Sequence, residues 1–301
     1  RVNQDRMGYS YTRDALLLVL ADGMGGHQGG EIAASLTMQA LSALFQAHAT
    51  PFVKKPEQFL EAAFLKAHHD ILRYAAANGL RDSPRTTVVA CLVQHNTALW
   101  AHCGDSRFYL VRSGQLLART RDHSHIEHLI SKGRATESER GTHPDRNKLY
   151  NCLGASQPPK VELSHQTGLL PGDVLMLCSD GLWSMLPDAD IVRRLSSKTV
   201  VQAVPDMITT ALEVAGPKAD NTTALAISWQ GAGDDMASGG DEIISTQMLP
   251  DDEVSLTLGE AEQEQALAAF DEDAIEKAIA EIRDAIEKSS QLLPEKDKGT
   301  L

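Results

Sequence analysis

Residues 86–119 read TTVVACLVQHNTALWAHCGDSRFYLVRSGQLLAR, and this stretch sets the fold class. It holds four apolar runs, TTVVACLVQH, TALWAHCG, RFYLVR and QLLAR. His95-Asn96 and Ser113-Gly114 supply turn signals between runs, which predicts antiparallel hairpins. Upstream, residues 16–21 (LLLVLA) form a buried strand that stops at Asp22-Gly23. A glycine-rich turn follows, with Gly23, Gly25, Gly26, Gly29 and Gly30. A helix is predicted over about 31–47. A second follows Pro56, with Phe59, Ala63, Phe64, Ala67, Ile71 and Tyr74 on one face. Downstream, 120–160 is polar, with a short helix near 124–132. Strands return over 161–178, where Pro171-Gly172-Asp173 turns into VLMLC and Asp180-Gly181 ends the run. Helical patterns fill 188–215, and Asp220-Asn221 leads into a last strand, TTALAISW. Strand runs separated by helix pairs predict an α+β fold with antiparallel sheets, not a βαβ parallel sheet.

Charge divides the chain. The 301 residues carry a net charge of −13, yet residues 1–230 hold 23 Lys+Arg against 22 Asp+Glu, and residues 231–301 hold 5 against 19. A near-neutral body carries an acidic tail, and neither part has the basic surface that nucleic-acid binding requires. A hydrophobic fraction of 42% excludes a wholly disordered chain. No run of 18 apolar residues predicts a membrane span, and RVNQDRMGYS at the N-terminus has no signal-peptide core. Cys91, Cys103, Cys152 and Cys178 are scattered and form no CxxC pair, which predicts inert thiols and a cytoplasmic setting.

The chemistry lies in aspartates that end apolar strands beside small residues: Asp22 in LLLVLADGMGG, Asp105 in LWAHCGDSR and Asp180 in VLMLCSDGL, with Asp220 ahead of the last strand in KADNTTALAI. Strand ends let a rigid sheet present side chains to one site. Gly23 and Gly181 let the main chain approach a bound ion, and a glycine carbonyl can serve as a ligand. Gathered carboxylates repel: two unit charges 4 Å apart cost about 4 kcal/mol near a protein surface. Such a cluster needs cations or raised pKa values, and oxygen ligands suit Mg²⁺ or Mn²⁺ better than Zn²⁺. A single aspartate at a strand-to-turn junction is ordinarily a turn former; the repetition is the signal.

NQD at 3–5, DGMGGHQGG at 22–30, GDSR at 104–107, RDHS at 121–124, HPDRNKLYNCLG at 143–154, SDGL at 179–182 and DNTT at 220–223 together resemble, in order, the metal-dependent (PPM, type 2C) Ser/Thr protein phosphatases in their bacterial form. The resemblance covers residues 1 to about 230. It implies a four-layer α-β-β-α sandwich of two antiparallel sheets flanked by helix pairs. It also implies two Mn²⁺ or Mg²⁺ ions at one end, with an activated water attacking phosphorus in line. Asp22 then bridges both metals, the Gly23 carbonyl joins the second, and Asp180 and Asp220 complete the first. Asp105 with Asp180 matches the position of a third metal in bacterial members. Phosphoproteins are the implied substrates, with a Ser/Thr kinase as the opposing partner.

The sequence departs from the family pattern in places. Gln4 stands where a glutamate holds metal-bound waters, and Asp5 follows it as a supporting group. The phosphate-binding arginine falls before residue 1, together with part of the first strand; Arg1, off register by one, is the fallback. Gly-Thr-Thr reads Arg85-Thr86-Thr87, and Met24 replaces the general-acid histidine of some eukaryotic members. Residues 133–153 match the family's flap, where Arg134, Arg140, Arg146 and Lys148 are candidates to meet a phosphopeptide.

Two rival readings carry their own signals. His123, His125 and His128, with Glu127, resemble the HxHxDH motif of dizinc hydrolases, a short match with a high false-positive rate. Gln4 and the displaced arginine favour a catalytically weak or inactive phosphoprotein-binding regulator, whereas Asp22, Asp180 and Asp220 oppose it. Beyond Trp229, GAGDDMASGGDE predicts a linker, residues 243–258 predict disorder, and 261–290 a helix. Ile275, Ile279, Ile282 and Ile286 make one apolar stripe on that helix, which suits either a solvated tether or a helix that docks on a partner. The predicted division is a catalytic domain over 1–230 and an acidic tail over 231–301.

Overall fold

A computed structural model describes residues 2–24, 29–140, 143–145 and 148–231, together with the strand Ser245–Met248. Strands β1 (Asp5–Tyr11) and β2 (Ala15–Asp22) come first, followed by helices α1 (Gly30–His48) and α2 (Pro56–Ala77). The run at 86–119 gives β3 (Val88–Gln94), β4 (Thr97–Cys103), β5 (Arg107–Arg112) and β6 (Gln115–Arg119). After them come α3 (His125–Ser131), the short β7 (Glu162–Leu163) and β8 (Thr167–Gly168), then β9 (Val174–Cys178) and α4 (Asp180–Trp183). Helices α5 (Asp188–Ser197) and α6 (Val200–Ala215), β10 (Ala224–Ser228) and β11 (Ser245–Met248) complete the order.

The strands form two antiparallel sheets. One runs β11-β1-β2-β3-β4-β7, with β8 also on β4; the other runs β10-β9-β5-β6. Both predicted hairpin turns close as two-residue turns with positive φ: His95 (51°) and Asn96 (55°), then Ser113 (50°) and Gly114 (78°). This twist matches that of the flanking strands. Helices α1 and α2 pack on the first sheet, and α5 and α6 on the second.

Four layers require three apolar interfaces, and the strands supply them by alternation. Leu17, Val19 and Ala21 of β2 face the core under α1 and α2, with Val88, Ala90 and Leu92 of β3. Leu18 and Leu20, with Val89, Cys91 and Val93, face the opposite way into the core between the sheets. There they meet Phe108, Leu110, Leu175 and Leu177. Tyr109, Val111, Met176 and Cys178 point outward to Leu182, Ile191, Leu195 and Met207 under the second helix pair. A strand buried on both faces must be apolar at every position, which is why LLLVLA and VLMLC show no polar alternation. Trp100 and Phe108 stack across the middle layer at 4.5 Å. All four cysteines are free and buried, and burial pushes the thiols of Cys91, Cys103 and Cys178 upward.

One reading needs correction. Residues 245–248 pair with β1, Ser245 opposite Tyr11 and Met248 opposite Gly8, so that part of 243–258 is ordered. Here main-chain pairing with an open sheet edge supplies what side-chain hydrophobicity does not. β1 itself lacks an apolar run, because it lies next to the edge and only part of it is buried. The predicted helix at 261–290 and its isoleucine stripe lie outside the described residues, as does Arg1. Among the described residues, no helix is long and apolar enough to cross a membrane.

Phe108 fills the middle layer with no exposed surface. Phe108→Ala is expected to cost about 3–5 kcal/mol, read from the urea midpoint at unchanged slope.

Candidate metal centre

Antiparallel pairing brings one end of every long strand to the same edge of the sandwich. Asp5 stands opposite Asp22 in the β1–β2 register. Cys178 pairs with both Ala224 and Arg107, so the segments holding Asp180, Asp220 and Asp105 emerge together. Asp22 is pinned through its main chain: its carbonyl accepts from Thr86 Oγ1 at 2.8 Å and from the Thr87 amide at 2.9 Å. Thr86-Thr87 thus performs this anchoring although Arg85 precedes it in place of glycine. Gly23 is required by close approach, since a Cβ there would lie 2.3 Å from the Gly30 carbonyl oxygen and 2.8 Å from that of Gln4.

The other strand ends are held as firmly. Gly104 has φ of +117°, and a Cβ on it would sit 2.5 Å from Thr87, so only glycine turns the chain into Asp105. The Asp105 carbonyl accepts from Trp183 Nε1 at 2.9 Å, and Ser106 and Thr87 share a 2.7 Å hydroxyl contact. Trp183 in turn lies under the Arg107 guanidinium at 3.7 Å, and Arg107 forks onto Asp122 at 2.8 and 2.7 Å. On the facing strand, Ser179 Oγ accepts from the Thr223 amide at 3.0 Å, fixing the 179–181 turn beside Asn221. Asn221 Oδ1 accepts from the Gln4 amide at 2.9 Å, tying the start of the chain to the Asp220 loop.

The carboxylates act on one another. Burial pushes Asp22 well above the usual carboxylate range, helped by Asp5, Asp180 and Asp105. Burial does the same to Asp105, with Asp180 and Asp122 adding to it. Asp180 is pushed up to about 7 by burial, Asp220 and Asp5. Burial also raises Asp5. Its two oxygens make no hydrogen bond of ordinary geometry, although the Thr223 and Ser179 hydroxyls and Asp22 stand near enough to offset part of the rise. An orphaned buried carboxyl among four others is a donor set that fits a hard divalent cation. Asp5, read from sequence as a supporting group, is therefore an integral part of the cluster. No local sequence signal marks this, because Asp5 meets Asp22 only through the β1–β2 register.

Glu31 was missed. Its Oε2 accepts from Gln4 Nε2 at 3.3 Å, so a carboxylate stands beside Gln4, where the sequence pattern has lost one. The available signal was its place immediately after the glycine-rich turn.

The zinc reading fails on geometry. His123 is buried, with Nδ1 2.7 Å from Asn151 Nδ2 and Nε2 3.2 Å from Glu162, whereas His125 and His128 are exposed on α3. Among the described residues, His102, His123 and Glu162 bring three ligand atoms within 4.8 Å of one another; His123, His125 and His128 do not. Nor do three of the aspartates, whose like charges favour wider spacing. In the 133–153 loop, Arg140 is paired with Glu127 at 2.7 Å and Lys148 with Asp145 at 2.7 Å. Arg134 is exposed, and Arg146 lies outside the described residues.

The family model for protein phosphatase 2C matches residues 1–218. The chain belongs to this family. Membership in the protein phosphatase 2C family makes it a protein serine/threonine phosphatase. The serine/threonine phosphatase stp of Listeria innocua is 31% identical over 230 residues, 75% of this chain and 89% of that protein. Among solved structures, the serine/threonine phosphatase Stp1 from Staphylococcus aureus superposes with a TM-score of 0.70 at 30% identity, over 77% of this chain and 91% of that one. The catalytic domain of the phosphatase PstP, in complex with two manganese ions, gives 0.62 at 30% identity over 75% and 90%. A protein phosphatase 2C is thus an α+β sandwich here too, with its aspartates at one end.

A raised folded-state pKa reverses the usual carboxylate contribution to stability. Asp180 at about 7 against 3.8 unfolded means that the metal-free fold binds the extra proton. That contribution is complete below pH 4 and is lost as pH rises through 7. Bound cations replace the proton. Millimolar Mn²⁺ is therefore expected to raise the Tm of chelator-treated protein more at pH 8 than at pH 5, measured by scanning calorimetry. Equal shifts at both pH values would remove the aspartates as the binding groups.

Proposed function

We propose that this phosphatase hydrolyses phosphoserine and phosphothreonine on proteins with two divalent ions, Mn²⁺ or Mg²⁺, held by the aspartate cluster. The observation that carries this reading is the gathering of Asp5, Asp22, Asp105 and Asp180 at one end of two sheets, where burial above all, with neighbouring carboxylates, holds each above the ordinary carboxylate range. A shared carboxylate cluster of this kind is neutralised either by protons or by cations. Asp22 would bridge the two ions, the Gly23 carbonyl would serve the second, and Asp180 and Asp220 would complete the first. Asp105 with Asp180 would hold a third. The ions, when bound, supply the Lewis acidity that activates a water for in-line attack and neutralises charge on the phosphoryl oxygens.

The chain's own groups do the rest. Thr86 and Thr87 hold the Asp22 carbonyl so that its carboxylate stays at the cluster. Asp5 would stand in the cluster opposite Asp22, and Gln4, through its side-chain amide, would orient water together with Glu31. Arg1 is proposed for the phosphate. Phosphoprotein specificity is assigned to the 133–153 loop, whose Leu153 bridges to Thr86 beside Asp22, and a cognate Ser/Thr kinase would supply the substrates. The 231–301 region is proposed as a regulatory arm in which 261–290 docks on a partner, leaving the catalytic domain as the unit that turns over small substrates.

Asp22→Ala and Asp180→Ala are each expected to lower Mn²⁺-dependent release of phosphate from a phosphothreonine peptide by at least about a thousandfold, on the scale of losing a principal transition-state stabiliser. Circular dichroism should be unchanged, and near-wild-type turnover by either variant would refute the assignment. Because β11 pairs with β1, the informative truncation is after Val254 rather than after residue 230. Such a chain should hydrolyse p-nitrophenyl phosphate at the full-length rate; an inactive product would place the tail within the catalytic fold.

A further inference from the structure

His123 is 2% exposed and stands between two parts of the molecule. On one side is the turn that carries Asp105: the Gly104 amide donates to His123 Nδ1 at 3.2 Å, and the His123 amide donates back to the Gly104 carbonyl at 2.9 Å. On the other side is the base of the 133–153 loop. The Tyr150 amide donates to the His123 carbonyl at 3.1 Å, and the neighbouring His125 amide to the Lys148 carbonyl at 2.8 Å. Asn151 Nδ2 lies 2.7 Å from His123 Nδ1.

The ring's tautomer follows from its partners. Asn151 cannot be turned over, because its Oδ1 accepts from the Lys160 amide at 3.0 Å and its Nδ2 donates to the Lys160 carbonyl at 2.7 Å. Two N–H donors therefore converge on His123 Nδ1, which must be the acceptor. The ring proton is left on Nε2, facing Glu162 at 3.2 Å. A proton on Nε2 blocks the nitrogen that faces Glu162. Although His102, His123 and Glu162 have ligand atoms within 4.8 Å of one another, they are thereby a hydrogen-bonded post and not a metal site. His102 stacks on the ring at 4.4 Å and anchors its own Nε2 on the Arg121 carbonyl at 2.7 Å.

We propose that His123 is a positioning residue that fixes Asp105 in the aspartate cluster to the base of the 133–153 loop, so that the loop and the cation bound at Asp105 are coupled. The coupling to a cation rests on the phosphatase reading above; the clamp itself does not. Groups that hold ligands in place, without touching the metal, change its affinity by about 10- to 100-fold.

The test is a set of His123 variants in the full chain. His123→Leu removes the acceptor; His123→Asn keeps one, as its Oδ1 replaces Nδ1. Mn²⁺ titration calorimetry on wild type and Asp105→Ala first identifies the site that depends on Asp105. His123→Leu is expected to weaken that site about tenfold and leave the others unchanged, with His123→Asn within about threefold of wild type. Hydrogen exchange at the Gly104 and Tyr150 amides should quicken together in His123→Leu. Asn151→Leu, which breaks only the loop side, should weaken the same site in part and serves if His123→Leu does not fold. Nitrogen-15 spectra of wild type at pH 7 should show His123 protonated on Nε2. An isotherm for His123→Leu that matches wild type, equal weakening of every site, Nδ1 protonation, or stoichiometric Zn²⁺ on His102 and His123 would each overturn the proposal. If wild type binds no Mn²⁺, the phosphatase reading fails, and the amide exchange and the tautomer still decide the clamp.

Discussion

Mutual repulsion among buried carboxylates is the constraint on which the rest of this structure depends. Asp5, Asp22, Asp105 and Asp180 all hold protons more tightly than free carboxylates, first because each is withdrawn from water and then because each faces negative neighbours. A loop could not hold such a set together; it would relax and let the charges separate. Two sheets packed face to face can, since Asp22, Asp105 and Asp180 follow strands locked in the apolar layers and Asp5 is held opposite Asp22 by register. The cost of the cluster is thus borne by the sandwich, which turns Coulombic strain into affinity for cations.

Much of this was legible in the sequence, for identifiable reasons. Unbroken apolar runs at 16–21 and 174–178 announced strands buried on both faces, and paired turn residues at 95–96 and 113–114 announced the hairpins. Asp22, Asp105 and Asp180 could be picked out because each directly follows a buried run, and Asp220 because it precedes one. Asp5 was undervalued because β1 has no such run: the strand is defined by its register against β2, which is a long-range property. Glu31 looked like an ordinary first-turn acid, and only its 3.3 Å contact with Gln4 gives it a place at the site. Strand β11 escaped for the same reason as β1. Its four residues, STQM, carry no hydrophobic pattern, and their structure comes from main-chain pairing alone.

The histidines show why a short motif misleads. Spacing placed His123, His125 and His128 on one line of text, and helix α3 then turned two of them to the surface while the first went inward. What determines the role of His123 is the direction of the hydrogen bonds that reach it. Two donors on one nitrogen leave no choice of tautomer. Arg140 makes the same point with opposite charge, since pairing with Glu127 makes it part of the loop's own framework.

Pairing of Ser245–Met248 along β1 has a consequence for the molecule in a crowded solution. An uncovered β1 would offer a row of main-chain donors and acceptors, a ready template for a strand from another copy. The chain supplies its own cover there. The first sheet's far margin is formed by two-residue strands, too short to recruit a neighbour, and β6 on the second sheet follows a register shift at Leu110/Val111 that distorts its pairing. Main-chain pairing thus covers β1, and short or irregular strands blunt two further margins against edge-to-edge association, while β10 stands at the remaining margin of the second sheet.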